Sequence, residues 1–349
     1  MLKFITRKFL YGLLVLLGVI ILVFLLFQGF GDATTLVAGQ TSDSTTQANI
    51  RKELHLDEPV LKQFAYYLND VSPISMYTQE DISKNKLKGV FIGGERKFGI
   101  KVPYLRKSYQ SKRDVWGMLM QALPGTLILA IAAMFVATLI GIPLGVLAAV
   151  KQNTGWDTSA VFFSILGISA PSFFMGIVIA YVFGFVLSDW TGLNITGNWT
   201  IIDETTGEKT LALKNLILPA ITLGIRPMAI ITQLTRSAML DVLNQDYIRT
   251  AYAKGLSREQ VIWKHALRNA LNPVITAITG WFAELLAGAF FVEYIFGWQG
   301  IGKLTVDALE KQDFPVVMGA ILISASFFII INILADILYG WIDPRVRVR

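Results

Sequence analysis

Six long apolar stretches alternate with polar segments along this chain. Each is long enough to cross a bilayer as a helix, which takes about 20 apolar residues. The predicted spans are Phe9–Phe30, Met118–Val150, Thr158–Ser188, Leu213–Leu240, Asn272–Phe296 and Val316–Trp341. The pattern predicts an all-α polytopic membrane protein with six transmembrane helices, five of them in a core over residues 117–349. Pro143 and Pro171 fall inside two spans, so the backbone groups freed there need partners within the protein.

Composition supports this prediction and excludes other classes of protein. Hydrophobic residues make up 54% of the 349 residues and charged residues only 16%, whereas soluble domains carry about a quarter. The net charge of +6 comes from basic residues spread over the flanks of the spans, so nucleic acid is not an expected partner. The chain has no cysteine, which excludes disulfides, thiolate metal sites and a lipid-anchoring cysteine.

The basic residues also predict the orientation in the membrane. They lie before the first span, after the second, around the fourth and at the C-terminus: Lys3, Arg7, Lys8, Lys151, Arg236, Arg249, Lys254, Arg258, Lys264, Arg268, Arg345, Arg347 and Arg349. Placing all of them on one side satisfies the positive-inside rule and puts both termini in the cytoplasm. The first apolar run is longer than that of a cleaved signal peptide, and no small-residue cleavage site follows it directly. We therefore expect residues 1–30 to be an uncleaved anchor.

Two polar segments then lie outside the cytoplasm. In the first, residues 31–116, apolar residues over 50–68 recur at helical spacing. Residues 72–97 resemble an insertion of mixed polarity with a Gly93-Gly94 turn, and the sequence does not settle whether it folds. The second segment, Asp189–Thr210, is rich in glycine, asparagine and threonine. Both are either contacts for a protein that delivers a substrate or passive connectors.

A polar cytoplasmic segment over residues 241–271 is predicted to form two short helices hinged at a glycine. Asp246 is the expected N-cap of the first helix, and Gly255 is suited to the left-handed position that ends it. Ser257 then begins the second helix, with Gln260 three residues on completing a capping box. Such a bent pair is either a handle for a soluble partner or an ordinary interfacial loop.

Four blocks carry a family resemblance. They are Tyr247-Ile-Arg-Thr-Ala-Tyr-Ala-Lys-Gly-Leu-Ser257, His265-Ala-Leu-Arg-Asn-Ala-Leu-Asn-Pro273, Phe291-Val-Glu-Tyr-Ile-Phe-Gly297 and Asp343-Pro-Arg-Val-Arg347. In this order they resemble the permease subunits of binding-protein-dependent ABC importers, in the dipeptide, oligopeptide and nickel branch. The resemblance runs from about residue 125 to the C-terminus. The family's Glu-Ala-Ala…Gly pattern is met at Gly255, but Arg249 replaces the glutamate and Thr250 the first alanine.

The resemblance implies a type I importer fold in a prokaryotic inner membrane, with four kinds of partner. These are the lipid bilayer, a second homologous permease, two ATPase subunits and an extracytoplasmic substrate-binding protein. ATP is then bound by the partner ATPases, and this chain needs no cofactor. The residues implied to couple the ATPases to the spans are Asp246, Arg249, Thr250, Ala251, Ala253, Lys254, Gly255, Ser257 and Arg258. Arg249, Ala251, Ala253 and Gly255 are the implied centre of that contact. The transported molecule stays open among peptides, nickel chelates, glutathione and some oligosaccharides.

Other candidate chemistry in the sequence fails. Residues 297–303 have the glycine and lysine spacing of a phosphate-binding loop, but Leu304 stands where that motif needs Ser or Thr for Mg²⁺. His55 and His265 fall on opposite sides of the predicted membrane, so they do not form one metal site. Nucleophile-elbow and zinc-protease motifs are lacking, so the chain is not expected to be an enzyme.

Charges inside the predicted spans carry more information, because charge in hydrocarbon is costly. Arg226 and Glu284 lie near the middle of antiparallel spans, at similar depth. We expect them to face a translocation path, either paired or contacting the charged ends of a peptide; the alternative is a pair that only fixes the helix arrangement. Asp336, near the cytoplasmic end of the last span, is expected to bond to a neighbouring helix or to cytoplasmic arginines.

Two other functional classes remain as alternatives to the importer. A stand-alone secondary transporter or channel would need no ATPase and would usually show internal repeats. A membrane-bound enzyme or sensor would need a catalytic constellation or a cytoplasmic domain, and the predicted cytoplasmic segments are short.

Overall fold

A computed structural model of the chain describes residues 2–29, 57–202 and 208–342. The elements in chain order are α1 (Leu2–Gly29), α2 (Val60–Val71), β1 (Ile74–Thr78), α3 (Gln79–Asn85), β2 (Gly89–Gly93), β3 (Arg96–Lys101), α4 (Val115–Val150), α5 (Gly155–Ser169), α6 (Ser172–Tyr181), α7 (Ser188–Thr191), β4 (Thr200–Ile202), β5 (Lys209–Leu211), α8 (Lys214–Leu243), α9 (Asp246–Ala253), α10 (Arg258–Gln260), α11 (Leu267–Gly288), α12 (Phe290–Ile295), α13 (Ile301–Glu310) and α14 (Phe314–Ile342). Two π-helical turns, Val182–Val186 and Val261–Ala266, follow α6 and α10 directly.

Four helices in the described part of the chain are long and apolar enough to cross a membrane. They are α1, α4, α8 and α14, and they match the first, second, fourth and sixth predicted spans. The third predicted span is α5 followed by α6 and its π-helical turn, and the chain bends by 109° between them. The fifth is α11, whose polar residues lower its hydropathy, followed by the short α12. The chain is therefore mostly helical, with four candidate spans, or five when the bent pair counts as one.

Pro171 explains the bend in the third span. Proline disfavours helical backbone in the residue before it, and Ala170 is accordingly extended, with φ −77° and ψ 130°. The chain bends there without losing all its hydrogen bonds, since the N–H of Ala170 still donates to the Leu166 carbonyl. The Met175 N–H donates to the Pro171 carbonyl and starts the next helix.

The expectation of an all-α chain is wrong in the segment 72–97. That segment and the residues just after it form a three-stranded antiparallel sheet of order β1-β3-β2, with α3 between β1 and β2. Gly93, at φ +136°, leads into the tight turn that joins β2 to β3. The second external segment adds a small hairpin, β4 with β5.

The sheet carries apolar side chains on its exposed face and polar side chains on its buried face. Its outward-facing side chains are apolar and are between 54% and 77% exposed: Ile74, Met76, Val90, Ile92, Phe98 and Ile100. They are cross-strand neighbours in two rows, since Ile100 pairs with both Ile74 and Val90, and Phe98 with both Met76 and Ile92. The inward-facing side chains Ser75, Tyr77 and Lys101 are polar and buried. An inverted face of this kind obscures the usual pattern of a half-buried strand.

The chain forms two compact units, each built from separate segments. One comprises Met1–Phe9, Pro124–Lys303 and Phe327–Arg349, and the other Leu10–Leu123 and Leu304–Ser326. The core of the first is a cluster of buried apolar residues from α4, α6, α8, α11 and α12, with Trp298 fully buried at its end. In the second, Phe24 of α1 packs on Phe64 and Tyr67 of α2, with ring centroids 5.2 and 5.7 Å apart.

Candidate functional site

The hinged segment predicted over 241–271 is present as α9, α10 and the loop between them. Helix α8 ends at Leu243, and Asn244 and Gln245 connect it to α9. The predicted N-cap is wrong by one residue. Gln245 occupies the cap position with extended backbone and without a side-chain cap bond, and Asp246 is the first helical residue. Asp246 instead lies 3.5 Å from the guanidinium of Arg249, in a solvated pair that contributes little to stability.

Gly255 ends α9 as predicted. Its φ of +79° is left-handed, its N–H donates to the Tyr252 carbonyl at 2.9 Å, and the Leu256 N–H reaches the Ala251 carbonyl at 3.3 Å. These two bonds are those of a Schellman motif, which requires a left-handed residue at the position after the cap. A Cβ added at Gly255 would meet no atom within 4 Å. Glycine is therefore needed there for its backbone freedom and not for space.

The capping box predicted at the second helix is confirmed. The Ser257 hydroxyl accepts from the Gln260 N–H at 3.4 Å, and the Gln260 side chain accepts from the Ser257 N–H at 3.3 Å. The short α10 then continues through the π-helical turn into α11. A bond from the Asn269 amide to the Tyr247 hydroxyl, 3.1 Å long, ties α11 back to α9. The bend between α9 and α10 is thus fixed by the Schellman motif at its start, by the capping box at its end and by the Asn269–Tyr247 bond between α11 and α9.

The two faces of the segment differ sharply. Ile248 and Ala251 are 1% and 7% exposed and belong to an apolar cluster with Val146, Met239 and Val261. Ala251 therefore packs inside the chain, and the expectation that it lies at the centre of a partner contact is wrong. The remaining predicted coupling residues are all exposed: Asp246, Arg249, Thr250, Ala253, Lys254, Gly255, Ser257 and Arg258. The segment presents a rigid polar surface held by an apolar base.

Arg226 and Glu284 line one cavity of about 80 Å³, together with Trp281. The Arg226 guanidinium lies 5.4 Å from the centre of the Trp281 ring, a cation–π distance. Among the described residues no ion pair joins Arg226 to Glu284. The structure thus brings the two predicted residues to the same cavity without pairing them.

The role of Glu293 was not predicted from the sequence, although this residue lies in the block Phe291–Gly297 that carries the family resemblance. Glu293 is fully buried; one carboxylate oxygen accepts from the Thr126 hydroxyl at 2.7 Å, and the other from the Lys303 N–H at 3.0 Å. Gly302 donates a further backbone N–H. The glycine-rich turn that resembles a phosphate loop therefore folds around a carboxylate of its own chain. The Trp298 indole closes the turn by donating to the Gly125 carbonyl at 2.8 Å.

Two ion pairs join long helices near their ends. Arg236 of α8 binds Asp157 of α5 through two bonds, one of them 2.8 Å long. Only the charge of Arg236 entered the sequence analysis, because its partner is 79 residues away. Asp336 of α14 was expected to bond to a neighbouring helix or to cytoplasmic arginines, and the first alternative is confirmed: it pairs with Lys8 of α1 at 2.7 Å.

His265 belongs to no group of described side chains that could hold a metal ion. His265 is exposed in the hinged segment, and His55 lies outside the described residues. Within the described ranges no group of three or more His, Asp or Glu side chains is arranged to hold a metal ion.

Comparison with known proteins places these features in a family. Residues 141–348 match the model "Binding-protein-dependent transport system inner membrane component", and residues 1–130 match the model of its N-terminal region. The chain is 36% identical to the dipeptide transport system permease protein DppB of Escherichia coli K12 over 99% of both chains. It is also 36% identical to the di/tripeptide transport system permease protein DppB of Pseudomonas aeruginosa UCBPP-PA14, again over 99% of both.

Among solved structures, a chain of the MetNI methionine ABC transporter in an inward-facing conformation aligns with a TM-score of 0.51. The alignment covers 65% of this chain and 97% of that chain at 16% identity, so it bears on the fold alone. The family models and the full-length relatives agree: this chain belongs to the inner membrane components of binding-protein-dependent transport systems.

Proposed function

We propose that this chain is a permease subunit of an ATP-driven importer of dipeptides and oligopeptides. It forms the translocation path with a second, similar permease, receives substrate from an extracytoplasmic binding protein, and is driven by two ATPase subunits on the cytoplasmic side. The peptide substrate is taken from the names of full-length relatives. The chain itself binds no ATP.

Contacts inside the first compact unit support six spans. Gly125, at the start of α4, bonds to Trp298, and the Gly197 N–H donates to the Phe296 carbonyl at 3.0 Å. Residues 125, 197 and 298 therefore lie on one membrane face. Because α4 leaves that face and α8 leaves it again, the bent pair α5–α6 and the helices α11–α12 must each return to it.

The same reasoning supports the proposal that both ends of the chain are cytoplasmic. The ten-residue α13 is about 15 Å long, too short to cross about 30 Å of hydrocarbon. Helix α14 consequently starts on the face of residue 298 and ends on the opposite one. Asp336 binds Lys8 there, so the start of α1 shares that face with the hinged segment. The positive-inside rule makes it the cytoplasmic face.

The hinged segment has the properties of a coupling element. A part that transmits force must move as one body and expose a surface to its driver. The Schellman motif, the capping box and the apolar base under Ile248 and Ala251 provide the rigidity. The exposed side chains from Arg249 to Arg258 provide the surface.

The external sheet supports docking of a protein on the opposite side. Six neighbouring apolar side chains on its outer face are more than half exposed, and contiguous exposed apolar patches usually mark interaction sites. The binding protein is the partner that this family uses on that side. We assign the outer face of the sheet to this contact.

Gly255 offers the direct test of coupling. Replacing it by Val forces a β-branched residue into left-handed backbone at a cost of about 1–2 kcal/mol or more, and the open space around it excludes a clash. In the complete transporter reconstituted in liposomes, we expect Gly255→Val to keep ATP hydrolysis and to lower peptide uptake at least fivefold.

Gly255→Asn is the matched control, because asparagine adds a side chain yet tolerates positive φ. It should retain most of the uptake. Normal uptake by the Val variant, or equal losses in both variants, would contradict the coupling role. Uptake by the isolated chain without ATPase subunits would contradict the importer itself.

A further inference from the structure

A large polar cavity lies in the second compact unit. Its volume is about 800 Å³, and its walls come from α2, β1, α3, Arg96 of β3 and the loop over residues 104–112. Cavities of about 300–1,000 Å³ are typical of small-molecule sites. Several tyrosines and charged side chains line it, so water or a polar ligand fills it more favourably than an apolar segment.

One wall of the cavity is electrostatically satisfied by its own residues. The Asp70 carboxylate accepts from the Tyr77 hydroxyl at 2.7 Å and from the Arg106 guanidinium at 3.4 Å. The ammonium of Lys101 donates to the Asp70 backbone carbonyl. Since Asp70 and Arg106 neutralise each other and the buried Lys101 ammonium is bonded to a backbone carbonyl, this wall is a structural support.

The other charges at the cavity are positive. Arg96, Lys107 and Lys112 line it and are exposed, and no residue in the described ranges forms an ion pair with any of the three. The remaining acidic group, Asp81, accepts a 2.6 Å bond from the Thr78 hydroxyl as part of the capping box of α3. The cavity therefore favours an anion.

A buried hydroxyl in the wall lacks a partner. Tyr109 lines the cavity and is 8% exposed, and its hydroxyl bonds to none of the described residues. A buried hydroxyl without an acceptor is costly, and this one has almost no accessible surface, so a ligand in the cavity does not reach it. Burial raises the pKa of Tyr109 to about 12, so the phenol stays a donor at neutral pH.

The loop that carries these residues is held in a strained form. Arg106 and Lys112 have left-handed backbone, with φ of +62° and +58°, which costs of order 1 kcal/mol for each non-glycine residue. Asp313 fixes the loop by accepting from the Ser108 hydroxyl and from the Tyr109 N–H, the latter at 2.9 Å. Strain of this kind is concentrated at ligand sites, where it positions side chains before binding.

We propose that this cavity is an extracytoplasmic binding site for a short free peptide, with Lys107 and Lys112 binding its terminal carboxylate. The preference for a carboxylate follows from the cavity, whereas the peptide class rests on the proposed function. The volume holds a ligand of a few residues, so the site retains substrate outside the membrane.

Calorimetric titration tests this on the full chain in lipid nanodiscs, without any partner protein. The probes are Ala-Phe and its C-terminal amide, which lacks the negative charge. We expect Ala-Phe to bind and the amide to bind at least tenfold more weakly. In the double variant Lys107→Gln/Lys112→Gln, Ala-Phe should also weaken at least tenfold, and the difference between the two probes should disappear.

Two controls separate charge from fold. Lys88→Gln removes an exposed lysine of the same region that does not line the cavity, and it should bind both probes as the unmodified chain does. Tyr109→Phe keeps the ring and removes a hydroxyl that is closed to the cavity, so it should bind both probes as the unmodified chain does. Equal binding of acid and amide, or no binding of either, would overturn the proposal.

Uptake by the complete transporter is measured separately. Binding of Ala-Phe with no peptide uptake would refute the proposed function and leave the site intact. Normal peptide uptake without binding of Ala-Phe would refute the cavity site and leave the proposed function intact. If the double variant loses only its affinity for the binding protein, the lysines bind a protein carboxylate and the free-peptide site is refuted.

Discussion

Glu293 illustrates how one buried residue fixes a whole external turn. Its two carboxylate oxygens accept at least three hydrogen bonds, from Thr126, Gly302 and Lys303. The surrounding groups therefore require a hydrogen-bond acceptor at both oxygen positions. Nothing in the local pattern sets this glutamate apart, because its partners lie 167 and 10 residues away. A carboxylate just before a glycine-rich turn is the only sequence signal that points to it.

We expect Glu293→Gln to destabilise this turn. The amide places an N–H₂ donor where an acceptor is required, and one unmet buried hydrogen bond costs about 1–3 kcal/mol. Hydrogen exchange of the full chain should show faster exchange over residues 297–303 and little change in the hinged segment. Thr126→Val removes the hydroxyl that donates to Glu293. Because both substitutions affect this one hydrogen bond, the double variant should lose less stability than the sum of the two single losses. Additive losses would contradict a shared network.

Lys101 gives a prediction on pH. Burial lowers its pKa from 10.5 to about 8, against the opposing effect of Asp70. A lowered lysine pKa means that the folded state binds fewer protons than the unfolded state between these values, so stability rises as the pH increases from about 8 towards 10.5. Below pH 8 the buried charge opposes folding in full.

Lys101→Met removes that charge at similar length. We expect the variant to protect the β3 amides from hydrogen exchange better than the unmodified chain at pH 7, after correction for intrinsic rates. The difference should shrink as the pH rises past 9. Lys88→Met, at an exposed lysine, should show no such trend. A pH-independent difference would contradict the assignment.

Local rules predicted the residues of the hinge and failed where packing decides. Gly255 and the Ser257–Gln260 box follow from backbone preference within a few residues, and both were correct. The position of Asp246 depended on where α8 ends, which no local rule gives. Ala251 was expected in the partner contact from the family resemblance, although its spacing of three from Ile248 places both on one helix face.

At the scale of elements, the predicted spans agree with the long helices because a run of about 20 apolar residues has few other solutions. The inverted sheet shows the opposite case. Its apolar side chains face outward and its polar ones inward, so the pattern that marks a strand on a soluble core did not apply. The cavity behind it depends on residues from four elements and was not predictable from spacing.

The Asp157–Arg236 pair is the strongest polar link between α5 and α8. Asp157 is 5% exposed, and its second oxygen also accepts from the Asn153 N–H at 3.0 Å. We expect Asp157→Asn and Arg236→Gln each to cost about 2 kcal/mol, measured by thermal unfolding in nanodiscs. The double variant should be more stable than the sum of single losses implies, because neither charge is then left alone. Loss of stability in only one single variant would argue against the pair.

At the scale of the whole molecule, the membrane topology is a matter of counting crossings. Helices α4 and α8 cross by length and composition, whereas the bent pair is either a broken span or a loop that re-enters the same face. Lys88 precedes α4, Thr210 precedes α8, and Arg258 follows α8. If the bent pair is a span, three crossings separate Lys88 from Arg258, so these two residues lie on opposite faces and Thr210 lies on the face of Lys88.

The absence of cysteine makes this count measurable with single Lys88→Cys, Thr210→Cys and Arg258→Cys variants. All three positions are exposed. In sealed, right-side-out vesicles, an impermeant maleimide should label Cys at 88 and 210 and should reach Cys at 258 only after the membrane is opened. If the bent pair α5–α6 is instead a re-entrant loop, positions 88 and 258 lie on one membrane face and position 210 lies on the other. The maleimide would then label 88 and 258 alike and 210 differently. Labelling of 258 from outside would remove the hinged segment from the reach of any cytoplasmic ATPase, because a motor acts only on the face where it binds.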